Sequence, residues 1–175
     1  MSAAELDLRH FTHEDLPQIR QTIIEVHDEA QGDDWEAEFK KKFPWFVDHW
    51  GGNPEYSCVI AYHGEEAVGF ACGAPAAPHR EWWREHLDPV PEKTRTFSYP
   101  ELAVSTKWRK QDVMELLSRT LLECQKEDLA VLLVDVEHPR VQARYESWGF
   151  QKIGERRPFP GSPVYAVMLA ELPLS

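Results

Sequence analysis

Apolar residues in the first third of the chain recur first with the period of a strand and then with that of helices. Residues 5–11, ELDLRHF, alternate apolar and polar positions, which predicts a half-buried strand. Residues 12–30 carry apolar side chains on one helical face, and these are Leu16, Ile19, Ile23, Ile24 and Val26. Residues 33–50 predict a second helix, with an interruption near Pro44 because proline cannot donate the helical hydrogen bond.

The middle of the chain is dominated by strand patterns. Residues 56–75 contain two apolar runs around a short turn at 63–66, a pattern typical of a β-hairpin. A proline-rich insert at 74–93 predicts a loop with a short helix. Residues 94–105, TRTFSYPELAVS, predict a long strand in which Pro100 removes one ladder hydrogen bond and bends the chain.

The last third alternates helical and strand patterns around one strongly apolar run. Residues 129–136 are almost continuously apolar, which suits a strand buried on both sides. Two helices and two further strands are predicted at residues 113–127, 139–150, 150–155 and 162–172. This mixed order, with one apolar central strand, predicts an α+β fold in which helices flank a twisted mixed sheet.

Charge and composition narrow the possible partners. The 175-residue chain has a formal net charge of −11, which argues against nucleic acid because a nucleic-acid binder needs a basic face. An acidic surface is compatible with a cationic small substrate such as an amine, and also with a charge that only keeps the protein in solution.

The three cysteines and the N-terminal sequence bear on the compartment. Cys58, Cys72 and Cys124 are far apart and form no CxxC pair, so neither a disulfide framework nor a zinc site is indicated. The first residues lack a basic region followed by an apolar run, and no stretch reaches the ~18 apolar residues of a membrane span. We therefore expect a cytoplasmic, reduced protein with no membrane partner.

Three segments, in this order, resemble the GNAT superfamily of N-acyltransferases. They are the strand end ELAVS, the helix start WRKQDVMELL and the segment EHPRVQARYESWGFQKIGE. The family has Q/R-x-x-G-x-G/A after the strand and later a segment similar to N-x-x-A-x-x-x-Y-x-x-x-G-F, so YESWGF is the most specific match. The resemblance covers residues 5–171. It implies a single GNAT-like domain over residues 1–175, with about seven strands and about four helices, and acetyl-CoA as the cosubstrate of an N-acetyltransferase.

The resemblance also implies where acetyl-CoA binds. Backbone N–H groups in a turn at a helix N-terminus bind a pyrophosphate, and the preceding strand pairs with the peptide-like pantetheine arm. The matching residues are Leu102, Ala103 and Val104 at the strand end, Arg109, Lys110, Gln111, Asp112, Val113 and Met114 in the turn, and His138 where the family's asparagine contacts the coenzyme A arm. For His138, the alternative is a residue of a helix-start turn.

The turn departs from the family pattern at both glycine positions. Asp112 stands at the first glycine and Met114 at the second. A carboxylate ~4 Å from a phosphate repels it by about 1 kcal/mol in water and about 4 kcal/mol at an effective dielectric of 20. Positive φ at a non-glycine residue costs roughly 1–2 kcal/mol, whereas Arg109 and Lys110 favour an anion. The alternative is a charged helix start, in which Asp112 is favourable beside the N-terminal dipole.

Two side chains are the candidates for catalysis. The resemblance implies that Tyr145 protonates the leaving thiolate of coenzyme A and that Glu101 is the general base for the amine. The alternatives are a packing tyrosine and a solvated strand carboxylate. No cysteine lies near the motif residues in sequence, which favours direct attack by the amine. The histidines show no metal-ligand spacing, so no metal is expected.

The acceptor is the least determined feature. In the family, the inserts that hold Trp45, Phe46, Trp50, Trp82 and Trp83 cover the acceptor pocket, although most aromatic residues are core. Four acidic residues, which either attract a cation or form a solvated helix face, are Asp33, Asp34, Glu36 and Glu38. We expect a small-molecule amine as acceptor and leave open a homodimer paired through sheet edges. The alternative is a weakened GNAT-fold module that binds a metabolite or a partner protein without acyl transfer.

Overall fold

Seven strands and four α-helices make up the part of the chain that the structure, a computed structural model, describes: residues 3–31, 37–109, 112–158 and 160–174. The strands are β1 (Asp7–Thr12), β2 (Ser57–His63), β3 (Glu66–Pro75), β4 (Thr96–Val104), β5 (Leu129–Asp135), β6 (Gln151–Arg156) and β7 (Tyr165–Glu171). The helices are α1 (Leu16–Gln31), α2 (Ala37–Gly51), α3 (Val113–Glu123) and α4 (Pro139–Ser147). The predicted α+β class and its element count are confirmed. None of the described helices has the length and apolar character needed to cross a membrane.

The strands form one sheet in the order β1-β2-β3-β4-β5-β7-β6. The pair β4–β5 is parallel, whereas β1–β2, β2–β3, β5–β7 and β6–β7 are antiparallel. The parallel ladder runs from Thr96↔Leu129 to Ser98↔Val131 and so ends two residues before Pro100. Pro100 has no amide hydrogen with which to extend a ladder, although the strand itself continues to Val104 as predicted.

The chain divides into two compact units. The first unit comprises Met1–Ala74 and Glu101–Leu121, and the second comprises Pro75–Pro100 and Leu122–Ser175. Helices α1 and α2 pack on the strands of the first unit through the residues of their apolar faces. The buried members of this core are Ile19, Ile23, Val26 and Ala30 of α1, Phe43 and Val47 of α2, Tyr56 before β2, and Cys58, Ile60, Phe70, Cys72 and Ala103 of the sheet.

The core of the second unit is built around Trp83. This indole is fully buried among residues of β5 and β7, and its Nε1 donates a hydrogen bond of 2.8 Å to Thr96 Oγ1. The hydrogen bond satisfies the one polar atom of the ring, which allows the whole side chain to be buried. The short helix that contains it, Trp82–His86, confirms the element predicted within the proline-rich insert.

Helix α2 continues through Pro44, so the predicted interruption is wrong. Phe43 and Val47, which flank the proline, are buried in the core of the first unit. Packing of this face offsets the helical hydrogen bond that proline cannot make. The start of the predicted helix, residues 33–36, lies outside the described residues.

Candidate active site

The segment after β4 is fixed by backbone hydrogen bonds within the first unit. The N–H of Ser105 donates to the carbonyl of Val68 on β3 at 2.7 Å, and the N–H of Trp108 donates to the carbonyl of Ser105 at 2.9 Å. The latter bond closes a single helical turn, Thr106–Trp108, and the Trp108 side chain is buried. These backbone hydrogen bonds therefore hold the segment that leads from β4 to the predicted cofactor turn.

Asp112 adopts the backbone conformation that favours glycine. Its φ is 57°, in the left-handed region, which glycine occupies without cost and which aspartate tolerates better than most residues. Its carbonyl accepts a hydrogen bond of 3.1 Å from the N–H of Leu116, so Asp112 lies at the start of α3. The side chain is exposed. Lys110 and Gln111, which precede it in the predicted turn, lie outside the described residues.

Helix α3 begins at the next two residues of the predicted turn. Val113 is fully buried, together with Leu117 and Leu121 on the same helical face. Met114 is half-buried, and its carbonyl accepts a hydrogen bond from Ser118 Oγ at 2.8 Å. The position of the family's second glycine is therefore inside a regular helix, whose first N–H groups have no partner within the helix.

The side chain of Arg109 is turned toward two backbone carbonyls. Its Nε donates to the carbonyl of Val104 at the end of β4 at 3.4 Å, and its Nη2 donates to the carbonyl of Ala30 near the end of α1. Beside it, Thr106 Oγ1 donates to Glu29 Oε1 at 2.8 Å. The arginine that the sequence assigns to phosphate thus contacts the protein itself.

Glu101 lies on β4, and the pKa of its carboxyl group is raised. Burial raises the pKa of its carboxyl group to about 8, because a carboxylate withdrawn from water is disfavoured in its charged form. Leu102 is half-buried, whereas Ala103 and Val104 are buried. A carboxyl group with this pKa changes protonation state close to neutral pH, as a general base requires.

Cys72, which interacts with Glu101, and Tyr56, which interacts with Cys72, were not singled out as site residues by sequence reasoning. Burial, the Cys58 thiol and the charge of Glu101 raise the pKa of the Cys72 thiol. Burial and both thiols raise the pKa of the Tyr56 hydroxyl. Cys58 and Cys72 face each other in the β2–β3 register, and only that register, not the spacing in the sequence, reveals the pair.

Tyr145 and His138 both lie in the second unit. The Tyr145 ring is buried and makes edge contacts with Trp148 and Phe150, at centroid distances of 5.0 and 5.6 Å. Burial raises the pKa of its phenol, so the hydroxyl keeps its proton near neutral pH. His138 is exposed and precedes α4, with its carbonyl accepting hydrogen bonds from Val141 and Gln142. This is the helix-start arrangement weighed as the alternative, and the contact with coenzyme A stays a prediction.

The aromatic residues assigned to an acceptor pocket have different environments. Trp45 is 60% exposed and stacks on His49 with ring centroids 4.9 Å apart. Phe46 is half-buried beside it, and Trp50 packs partly buried on the core of the first unit. In the second unit, Trp82 lies under the Arg156 guanidinium at 4.7 Å. Trp83 has no exposed surface and belongs to the core, which is the alternative that the sequence left open for these aromatic residues.

The acidic residues near α2 add nothing to the described site. Asp33, Asp34 and Glu36, and the side chain of Glu38, lie outside the described residues. Among the residues that the structure does describe, no group of three or more His, Cys, Asp or Glu side chains is arranged to hold a metal ion.

Comparison with known proteins identifies the family. A sequence model described as "Acetyltransferase (GNAT) family" matches residues 20–150, whereas no curated protein matches the chain significantly. Arabidopsis thaliana NAA60 in complex with acetyl-CoA is similar in structure, with a TM-score of 0.65, 13% identity, and coverage of 95% of this chain and 98% of that one.

Two further solved structures share this fold. The ribosomal-protein-S18-alanine N-acetyltransferase from Escherichia coli has a TM-score of 0.63 and 17% identity, covering 95% of this chain and 94% of that one. A Desulfovibrio desulfuricans protein, assigned as an acetyltransferase of the GNAT family, has a TM-score of 0.68 and 17% identity, covering 95% and 98%. These likenesses show the fold, and the sequence model, which spans most of the chain, shows that the chain belongs to the GNAT family of acetyltransferases.

Proposed function

We propose that this chain transfers an acetyl group from acetyl-CoA to the amine of a small molecule by direct attack. The observation that carries the proposal is the positive φ of Asp112 at the start of α3. The backbone has the shape that the family's glycine would give it, although the residue is not glycine. The N–H groups of the first turn of α3 are the donors suited to a diphosphate.

The proposed cofactor site uses the backbone more than side chains. The resemblance assigns Leu102, Ala103 and Val104 to the pantetheine arm and residues 109–114 to the diphosphate, and it assigns a coenzyme A contact to His138. Bound acetyl-CoA would supply a thioester activated for acyl transfer. The exposed carboxylate of Asp112 opposes the diphosphate, and its exposure to water weakens that repulsion.

The pKa of Glu101 suits its proposed role as a base, and Tyr145 carries the proton that its proposed role requires. A carboxyl group with a pKa of about 8 accepts a proton from an ammonium group more readily than an ordinary glutamate does. Burial raises the pKa of the Tyr145 phenol, which makes it a weaker acid than a tyrosine in water, so proton transfer relies on the high basicity of a thiolate in a dry site. The first residue would deprotonate the amine, and the second would protonate the leaving thiolate.

An amine acceptor agrees with the charge of the chain. The formal net charge of −11 attracts ammonium groups and repels anions over the distance of a Debye length. Small diamines and peptide N-termini share that group, and the E. coli enzyme of similar fold acts on a ribosomal protein alanine. We assign the small-molecule amine as the acceptor, and peptides with a free N-terminus are the comparison to make.

The test begins with binding and ends with turnover. Acetyl-CoA should raise the melting temperature, because a ligand at 100 times its dissociation constant adds about 2.7 kcal/mol to the free energy of unfolding. Thiol release should then be measured with a panel of small amines and with a panel of peptides. No thermal shift at millimolar acetyl-CoA would refute the proposal, and turnover of peptides alone would refute the acceptor class.

A second candidate function is a GNAT-fold module without acyl transfer, which binds a metabolite or a partner protein. Met114 favours it, because this residue lies inside α3 where the family's pattern has glycine or alanine. The double substitution D112G/M114G separates the two candidates. The module is supported if the substitution creates coenzyme A binding that the original chain lacks. The enzyme is supported if the original chain already binds coenzyme A and the double substitution barely changes that binding.

A further inference from the structure

The end of α1 is fastened to the chain that follows β4. Arg109 reaches the carbonyl of Ala30, one residue before the last residue of α1, and the carbonyl of Val104, the last residue of β4. Thr106 adds a hydrogen bond to Glu29 on the same helical turn. All of these residues belong to the first unit.

The chemistry of these contacts favours a structural use of the guanidinium. The last four carbonyls of a helix have no partner within the helix, and a cation is favourable at that end. A guanidinium offers donors in a rigid fork and can join two carbonyls at once, which an ammonium group does less well. A side chain engaged in this way is directed toward the protein and not toward an anion.

We propose that Arg109 is a positioning residue: it joins the last turn of α1 to the end of β4 and thereby holds that strand end in the shape that accepts the pantetheine arm. The diphosphate is left to backbone N–H groups. This inference rests on the proposed function, which supplies the ligand, and it replaces the phosphate contact that the sequence assigns to the Arg109 side chain.

The experiment compares two ligands and three variants. Coenzyme A contains both the arm and the diphosphate, whereas pantetheine contains the arm alone. R109M removes the charge and the fork, and R109K keeps the charge but loses the fork. K107M is the matched control, because it removes a basic side chain from the same segment. The Lys107 ammonium group lies 3.8 Å from a carboxylate oxygen of Glu66, and both side chains are exposed. Affinities are measured by calorimetry well below the melting temperature of every variant.

Both Arg109 variants should weaken pantetheine and coenzyme A by the same factor. The expected loss is roughly tenfold, the value of one charge-assisted hydrogen bond. K107M should leave pantetheine affinity unchanged and lower coenzyme A affinity by at most about twofold, since an exposed charge is largely screened.

Three results would overturn the inference. In the first, R109K binds coenzyme A as tightly as the original chain does, and R109M loses affinity for coenzyme A but not for pantetheine. This result would show that Arg109 is a phosphate ligand. Melting temperatures that fall while both affinities stay unchanged would make its role merely structural. If the original chain binds neither compound, the proposed function itself has failed, and the positioning role fails with it.

Discussion

Asp112 has the backbone conformation of a glycine and adds a charge that glycine lacks. The left-handed φ of 57° is a property of the turn, whereas the carboxylate is a property of this residue alone. The two can be separated by substitution. Asparagine also tolerates this conformation and has no charge.

D112N should bind coenzyme A more tightly than the original chain. Removal of a repulsion of about 1 kcal/mol predicts an affinity gain of up to about fivefold at low salt, which should shrink as salt is raised. D112A is the control for conformation, since alanine at positive φ costs about 1 kcal/mol of stability. Calorimetry and thermal unfolding measure the two effects, and an unchanged affinity for D112N at low salt would contradict the electrostatic explanation.

Glu101 should govern the acid limb of the pH–rate profile. Only the carboxylate form is a base, so kcat/KM should rise about tenfold per pH unit below about 8 and level off above it. E101Q should lower kcat by roughly 10²–10⁴ and remove this limb. Initial rates measured across the pH range at acceptor concentrations below and above KM give kcat/KM and kcat, and a kcat/KM profile unaltered in E101Q would exclude the base role.

Tyr145 should matter for turnover and little for folding. Y145F keeps the ring that packs on Trp148 and Phe150 and removes only the proton donor. We expect kcat to fall by roughly 10²-fold or more, as for loss of a general acid. The melting temperature should change by no more than a few degrees, since the ring packing is kept and only the hydroxyl is removed. Equal turnover by Y145F would leave the tyrosine a packing role only.

For single residues, the sequence predicts which side chains belong to the candidate site better than it predicts what those side chains contact. The family resemblance implies a base at Glu101, whereas its perturbed acidity follows from burial, which the sequence does not specify. The contact of Arg109 with Ala30 joins residues that are 79 positions apart. Such a contact depends on tertiary packing, and a motif read along the chain assigns the same side chain to phosphate.

The β2–β3 hairpin shows that sequence patterns predict the strands and the turn but not the register of the pairing. Its two strands and its turn at Gly64 follow from the two apolar runs and the glycine between them. A register shift between Ala61 and Tyr62 then offsets every pair beyond it. Without this irregularity Cys58 would not face Cys72, so the pairing beside Glu101 could not be predicted from the turn.

Gly69 marks a close approach between β3, β4 and α3. A Cβ atom at this position would lie 3.0 Å from Leu117 Cδ1 and 3.1 Å from the carbonyl oxygen of Ala103. G69A should therefore lower the free energy of unfolding by roughly 1–3 kcal/mol, the usual cost of overpacking. It should also weaken pantetheine, because the carbonyl it presses on belongs to the strand end that we assign to the arm.

Denaturant unfolding and calorimetry provide the two readouts for Gly69. G64A is the comparison, since a Cβ there meets nothing within 4 Å. G64A should lower the free energy of unfolding by only about 1 kcal/mol, because alanine is strained at positive φ. Pantetheine affinity should stay unchanged in G64A, and a G69A variant as stable as the original chain would show that the neighbouring atoms give way freely.

For the whole molecule, Glu101 links folding to pH. Its pKa is about 8 in the folded state and about 4.3 in an unfolded chain. Between these values the folded state binds more protons, so this residue makes the free energy of unfolding fall as pH rises through that window. The stabilisation of the folded state by the raised pKa of Glu101 is fully present below pH ~4.3 and is lost above pH ~8.

E101Q removes this dependence. The difference in unfolding free energy between E101Q and the original chain should grow in favour of E101Q as pH rises from about 5 to 8, by up to a few kcal/mol. Urea unfolding at several pH values measures it, and E101A serves as a control for the loss of the side chain. Parallel pH profiles for E101Q and the original chain would show that Glu101 is not shifted upward by burial.

The overall architecture was the most predictable level. Apolar periodicity alone indicated the strands and helices that the structure describes, because each element must bury one face. Propensity failed at Pro44, where burial of Phe43 and Val47 outweighs the missing hydrogen bond. The single-domain prediction for residues 1–175 stays a prediction, as do the homodimer and the cytoplasmic location.

The positive φ at Asp112 also has a consequence for directed evolution. Codons for aspartate lie one base away from codons for glycine and for asparagine, and both of these residues accept the left-handed conformation. A mutagenised library selected for growth on scarce acyl donor should therefore yield glycine or asparagine at position 112 early, without compensating changes elsewhere. Retention of aspartate under such selection would show that its carboxylate performs a task of its own.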